Sequence, residues 1–126
     1  MQSLNKIEIK GCVGSARMET FQENIRCVTI SVATNYAYKS PDGCVCIDTT
    51  WFNVIAHEKA FADSSDMKKI SKGKFVHVTG RLRIKRYAST SGEERTIPEI
   101  IAKYVSVIPD TEDEFFVPEN QENIKF

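Results

Sequence analysis

The feature that most constrains this chain is a period of two. In Lys6-Ile7-Glu8-Ile9-Lys10 apolar and charged residues alternate, so an extended backbone turns one face apolar and the other charged. Such a strand must bury one face against another element. The period recurs from Ile25 through Thr34, where Val28, Ile30 and Val32 oppose Cys27, Thr29, Ser31 and Ala33. Cys44 through Ala56 reads as a long strand holding Trp51, Phe52, Val54 and Ile55. Alternation requires one of Trp51 and Phe52 to face a core and the other to face outward. Phe75 through Lys85 turns Val76, Val78, Gly80 and Leu82 one way, and Thr96 through Ile108 is a last long strand.

Punctuation falls between these runs. Gly11 and Gly14 predict a bend or bulge in the first strand. Ser40-Pro41-Asp42-Gly43 is a turn, and Ala88-Ser89-Thr90-Ser91-Gly92 a flexible connection. Pro98 predicts an edge position or a bulge, because it brings no N–H to a ladder. One helical window, Glu58 through Ile70, offers Ala60, Phe61, Met67 and Ile70 as a partial apolar face and stops at Lys72-Gly73. Asp63, Ser64, Ser65 and Asp66 are poor helix formers and predict that it is short or interrupted. Three strands, one helix and two strands is the order of the OB-fold, a five-stranded, partly open barrel. Other small barrels and α+β sheets fit the same string. At 126 residues one domain is expected, spanning residues 1–109, with a tail at 110–126.

Several function classes are disfavoured. No apolar run reaches the roughly 20 residues of a membrane span, and Met1 to Lys6 lack a signal-peptide pattern, so a cytoplasmic location is expected. The four cysteines are then expected to be reduced, small buried hydrophobes. Cys44-Val45-Cys46 is not a C-x-x-C, and His57 and His77 lie apart from any cysteine pair, so neither a metal site nor a cofactor is expected. His57-Glu58 begins an H-E-x-x-H that fails at Phe61, and no P-loop, G-x-S-x-G or G-x-G-x-x-G occurs. A non-catalytic protein is expected.

Seventeen basic and seventeen acidic residues give a formal charge of zero. The zero divides at Pro109. Residues 1–109 hold 16 Lys/Arg and 11 Asp/Glu, a net of +5. Residues 110–126 hold six acids and Lys125, a net of −5. A basic body and an acidic tail point to two different partners. Arg81, Arg83, Lys85 and Arg86 fall within six positions, followed by Tyr87 and then Arg95. Cations that follow phosphates beside an aromatic plate are what a single-strand binder needs, although a solvated strand edge uses the same cations. Tyr36 and Tyr38, read here as lying after the second strand, and Trp51 are further candidate plates.

Six pieces of this sequence, in order, resemble the bacterial single-stranded DNA-binding protein (SSB) family. They are Leu4-Asn5-Lys6-Ile7 with Gly11-Cys12-Val13-Gly14; Ser31 to Asn35; Thr49-Thr50-Trp51; Lys72-Gly73 through Arg83; Tyr87, Gly92 and Arg95; and Glu99 to Ala102. The resemblance covers about residues 4–109. It implies an OB domain, a homotetramer, and sequence-independent binding of single-stranded DNA in replication, recombination and repair, near the nucleoid. It further implies that Tyr38, Trp51 and Tyr87 stack bases, while Arg81, Arg83, Lys85, Arg86 and Arg95 meet phosphates. His57 stands at a further family aromatic, and Phe52 where many members have a His linked to subunit contacts. Ala16-Arg17-Met18-Glu19 replaces the family's D-P-E. In the short tail, Phe115, Phe116, Ile124 and Phe126 are the candidate contacts to replication and repair proteins, with Lys125 where the family has Pro. The alternative is an OB-fold interaction module of a primosome or mobile element that binds nucleic acid weakly. An RNA binder is a variant of the first reading.

Overall fold

A computed structural model describes residues 2–21 and 25–109. The period of two produces five long strands: β1 (Ile7–Phe21), β2 (Ile25–Lys39), β3 (Val45–His57), β4 (Phe75–Ala88) and β5 (Glu94–Ile108). They close into a barrel of order β1-β2-β3-β5-β4. All neighbours are antiparallel except β3 and β5, which run parallel and pair only at Val54/Ile100 and Ile55/Ile101. The apolar stripe of each strand lines the interior: Ile9 and Val13, Val28, Ile30 and Val32, Val54 and Ala56, Val76 and Val78, Ile100 and Val105. This is the five-stranded all-β barrel expected from the strand order.

Several local expectations are refined. β1 runs on through both glycines, and the register with β2 shifts between Val13 and Ser15, so the bulge is at Gly14. Pro98 pairs with Ile84 on β4, in the part of β5 that has no partner on its β3 side, an edge position that leaves its missing N–H without cost. β2 extends to Lys39, so Tyr36 and Tyr38 lie in a strand rather than after one. The helical window forms no α-helix. It folds as two 3-10 turns, Glu58–Ala60 and Ser64–Lys69. Asp63 caps the second turn, its carboxylate accepting the Ser65 N–H, so the window restarts there rather than running through. Ala60, Phe61, Met67 and Ile70 still pack on the core as the window predicted.

Beyond the Val54/Ile100 pair, β2–β3 and β4–β5 continue as two hairpin arms whose tips lie at the same end of the barrel. Both tips use one device. Ser40-Pro41-Asp42-Gly43-Cys44 and Ser89-Thr90-Ser91-Gly92-Glu93 are three-residue loops with glycine in the left-handed region, at φ 91° and 88°. In each, the first residue's N–H donates to the fifth residue's carbonyl, and the glycine N–H donates to the first residue's carbonyl. The Ser40 hydroxyl donates to Asp42, and Ser89 pairs with Ser91. The Ser40 hydroxyl and the Cys44 N–H hold the Asp42 carboxyl below its usual range.

The cysteines separate. Cys27 is buried as expected, and burial is the main cause that pushes its thiol pKa up, with the Glu19 carboxylate adding to it. Cys12 and Cys46 are partly exposed and Cys44 is exposed at a hairpin tip, which corrects the expectation that all four are buried. Cys44 stands in a turn outside β3, and Cys46 lies on the arm, where both faces meet solvent. Among the described residues no helix is long and apolar enough to cross a membrane.

Ile30 has no solvent exposure and sits at the middle of this core. Ile30→Ala is expected to lower stability by about 2–5 kcal/mol, read as a lower urea midpoint with an unchanged slope.

Candidate nucleic-acid interface

The β2–β3 register decides which side chains can work together. Val32 pairs with Phe52 and Ala33 with Trp51. Phe52 therefore turns inward and packs against the core. Trp51 turns outward and is 59% exposed, which is unusual for a residue that is highly buried on average. Its ring crosses β2 to lie against β1 at Gly14. A Cβ added there would fall 2.6 Å from Trp51 Cζ3 and 2.8 Å from Cη2, with Ser31 Oγ at 3.1 Å. The Ser31 hydroxyl bonds that of Ser15 at 3.0 Å beside this seat. Gly14 thus supplies the space that lets the indole lie on the barrel wall with its other face in solvent.

The outward face continues around the barrel. Ile55, four residues past Trp51, pairs with Ile101, and Ile101 pairs with Arg81. Toward the tip of the second arm, Arg83, Lys85 and Tyr87 follow on the same face, opposite Glu99, Ile97 and Arg95. Trp51, Arg81, Arg83, Lys85, Tyr87 and Arg95 therefore share one outer surface. Tyr87 is 39% exposed. His57, exposed at the end of β3, lies on this surface as well, six residues from Trp51 and so roughly 20 Å along the strand.

Two expected site residues lie elsewhere. Tyr38 pairs with Cys46, an odd number of residues from the Ala33/Trp51 pair, so alternation places it on the opposite face of the arm. It is half-buried, with the Tyr36 ring 6.3 Å away at a tilt of 39°. The Asp48 carboxylate, and then Cys46, push its phenol pKa above the ordinary value. Arg86 pairs with Thr96 and shares the inner face of the second arm with Ile84 and Leu82.

The cations also differ in availability. Arg83 Nη2 donates to Glu99 Oε1 at 2.7 Å, and Glu99 is 9% exposed. This arginine neutralises a buried carboxylate. Arg86–Glu94 at 3.8 Å and Arg95–Glu93 at 3.5 Å are loose, exposed pairs of small energetic worth. Arg81 and Lys85 form no ion pair among the described residues. Among those residues, no group of three or more His, Cys, Asp or Glu is placed to hold a metal.

Sequence reasoning missed Asn5. Its Nδ2 donates to the Leu82 carbonyl at 2.7 Å, and its Oδ1 accepts the Leu82 N–H at 2.9 Å. A side-chain amide thus imitates a strand partner and pins the segment before β1 to β4. It also missed Tyr104, 61% exposed on β5. A Lys103-Tyr104 pair inside an otherwise apolar strand was the available signal.

The single-strand binding protein family matches residues 4–108, all of the barrel. The chain belongs to this family. Among its relatives, single-stranded DNA-binding protein 1 of Xylella fastidiosa is 29% identical over 117 residues, covering 90% of this chain and 83% of the relative. A single-stranded DNA-binding protein of Neisseria meningitidis is 28% identical over 107 residues, and the matched part spans 60% of its length. Among solved structures, Plasmodium falciparum SSB in complex with ssDNA superposes with a TM-score of 0.71 at 24% identity, covering 86% of this chain and 98% of that one. The Thermus aquaticus single-stranded DNA-binding protein, as a deletion mutant, gives 0.70 at 16%, with 51% of that chain covered. At these identities the two structures establish a shared OB-fold.

Gly14→Ala is expected to lift the Trp51 ring from its seat. The indole emission should shift to longer wavelength and acrylamide should quench it more strongly. The unfolding midpoint should change by less than about 1 kcal/mol in stability, because the ring can rotate away.

Proposed function

We propose that this chain binds single-stranded DNA without sequence preference, without catalysis, and serves replication, recombination and repair in the cytoplasm at the nucleoid. The observation that carries this reading is Trp51. An exposed indole, seated on Gly14 with one π-face in solvent, shares its surface with a row of cations. Base stacking on such a ring contributes roughly 1–3 kcal/mol per base and tolerates any base. Duplex DNA hides its base faces, so a stacking surface selects single strands. Tyr87 would supply a second plate near the arm tip. Arg81 and Lys85 would meet phosphates first. Arg95 and Arg83 would follow, Arg95 by exchanging its loose pair and Arg83 with the N–H groups that Glu99 leaves free. Tyr38, His57 and Arg86 would contact a strand that wraps around an arm or continues down β3.

A homotetramer is part of the proposal. Ile7 to Gly11 pair with β4 on one side, while pairing with β2 begins only at Cys12. That leaves an open strand edge of the kind a second copy completes. The tail residues Phe115, Phe116, Ile124 and Phe126 lie outside the described residues. Their mixture of acids and apolar groups supports contact with replication and repair proteins.

Two experiments test these assignments. Oligo(dT) should quench Trp51 emission, high salt should weaken the effect, and duplex DNA should compete poorly. Trp51→Ala should weaken binding by roughly 5- to 150-fold, the range set by one stacked base. An absence of both quenching and gel shift at low salt would favour the interaction-module reading. Separately, removing residues 119–126 should abolish pull-down of replication partners while leaving oligo(dT) affinity within a few-fold. Equal capture by the shortened chain sinks the role of the tail.

A further inference from the structure

The chain has two histidines, and histidine is the side chain whose ordinary titration falls between pH 5 and 8. The structure treats the two differently. His77 Nε2 meets Glu8 Oε2 at 2.6 Å on the β1–β4 wall, so a charge there is matched inside the protein. His57 is exposed at the end of β3, on the surface that carries Trp51. Its imidazole does not cap the 3-10 turn that follows, and it forms no ion pair or side-chain hydrogen bond among the described residues.

The groups around His57 leave a proton on it uncompensated. Across the ladder on β2 it faces Cys27. Burial, with the Glu19 carboxylate adding to it, pushes that thiol up and keeps it neutral. Beyond Cys27 the row continues to Glu19 on β1, which Arg17 holds at 2.8 Å. On its own strand the outward neighbours are Asn53 and Ile55, which carry no charge. In the turn that follows, Glu58 and Lys59 stand side by side with opposite charges. On β5 the ladder to β3 ends at Ile101, and Lys103 lies two residues further on. The acids, Glu19 and Glu58, are thus matched by Arg17 and Lys59, and neither bonds the imidazole. A neutral imidazole is a small plate, whereas the protonated ring is a cation with two N–H donors.

We propose that His57 is a proton-operated phosphate contact, so that the surface around Trp51 holds single-stranded DNA more tightly, and with a steeper salt dependence, as the pH falls through the histidine range. The proposal rests on the single-strand reading above and adds its regulation. A phosphate beside the ring favours the charged form, so binding takes up a proton. The added contact is complete below the histidine range and is lost as the pH rises through it. Trp51, Tyr87 and the row of Arg and Lys keep one state across that range, so His57 alone grades the affinity.

The test reads the slope of log affinity against log salt by the anisotropy of fluorescently labelled oligo(dT), because thymine carries no group that titrates in this range. His57→Arg fixes the charge, and His57→Phe removes it while keeping a plate. Their slopes should differ by about 0.7 for each protomer engaged, the value of one phosphate contact on a single strand. The native chain should follow His57→Arg at about pH 5.5 and His57→Phe at about pH 7.5. His77→Gln should leave that change in place. A native slope that does not move between the two pH values overturns the proposal. So does a change that persists in His57→Phe, or one that His77→Gln removes, which would assign it to the Glu8 pair. If labelled oligo(dT) does not bind the native chain at low salt at either pH, the single-strand reading itself fails, and the anisotropy shows that separately.

Discussion

Two parallel residue pairs close this barrel. Val54/Ile100 and Ile55/Ile101 are the whole ladder between β3 and β5, and everything else follows from where they fall. Val54 and Ile100 are both fully buried, so the closure and the core are the same contact. Because the two strands are parallel, their hairpin tips must lie at one end. Because the ladder stops at Val54, the rest of each hairpin departs as an arm with an unpaired edge. The closure thus assigns an inside and an outside to every strand and leaves two projecting, twisted surfaces. It also carries the outer face across from Trp51 to Arg81 through adjacent isoleucines. Without it, those two side chains would lie toward opposite edges of one open sheet.

Trp51 shows how packing and exposure are set by different residues. Its outward direction comes from the β2–β3 register, in which Phe52 takes the inward position opposite Val32. Its orientation comes from a third strand, because only a glycine at position 14 leaves the ring room on β1. The bulge at that point makes the same residue useful twice, bending β1 into the barrel and opening the seat. A large apolar ring held in solvent costs hydration free energy, which a base stacked upon it would recover.

Much of this was legible before any coordinates. The period of two located all five strands, and the choice between Trp51 and Phe52 was known to be exclusive. Strand ends were less visible. The arms carry mixed side chains because both faces meet solvent, so the alternation marks β2 only to Thr34, and Tyr36 and Tyr38 read as a loop. The face of Tyr38 depends on the pairing register across the Ser40–Cys44 turn, which periodicity within one strand does not contain. The window from Glu58 to Ile70 does hold the helical turns, and its poor helix formers account for the break between them. The cap that starts its second turn, the Asp63 carboxylate on the Ser65 N–H, depends on a side-chain direction that the pattern does not carry. Asn5 was hidden for a different reason: its partner lies 77 residues away, and nothing local marks an amide that stands in for a strand.

The charge balance gains meaning once it is placed. Even the +5 of the body overstates how freely its cations act, because three of its acids, Glu93, Glu94 and Glu99, sit on the same hairpin as the basic row. The three pairs are not equivalent. Glu99 is buried and needs Arg83 at 2.7 Å, since an unpaired charge there would be costly. Glu93 and Glu94 are exposed, and their arginines stand 3.5–3.8 Å away in water, where such a pair contributes little. Those two arginines can change partners at small cost, whereas Arg83 cannot abandon its own. Arg81 and Lys85 need no exchange at all. A polyanion approaching the outer face would therefore meet Arg81 and Lys85 first, then Arg95, then Arg83, and that order follows from the burial of Glu93 and Glu99 rather than from the number of basic residues.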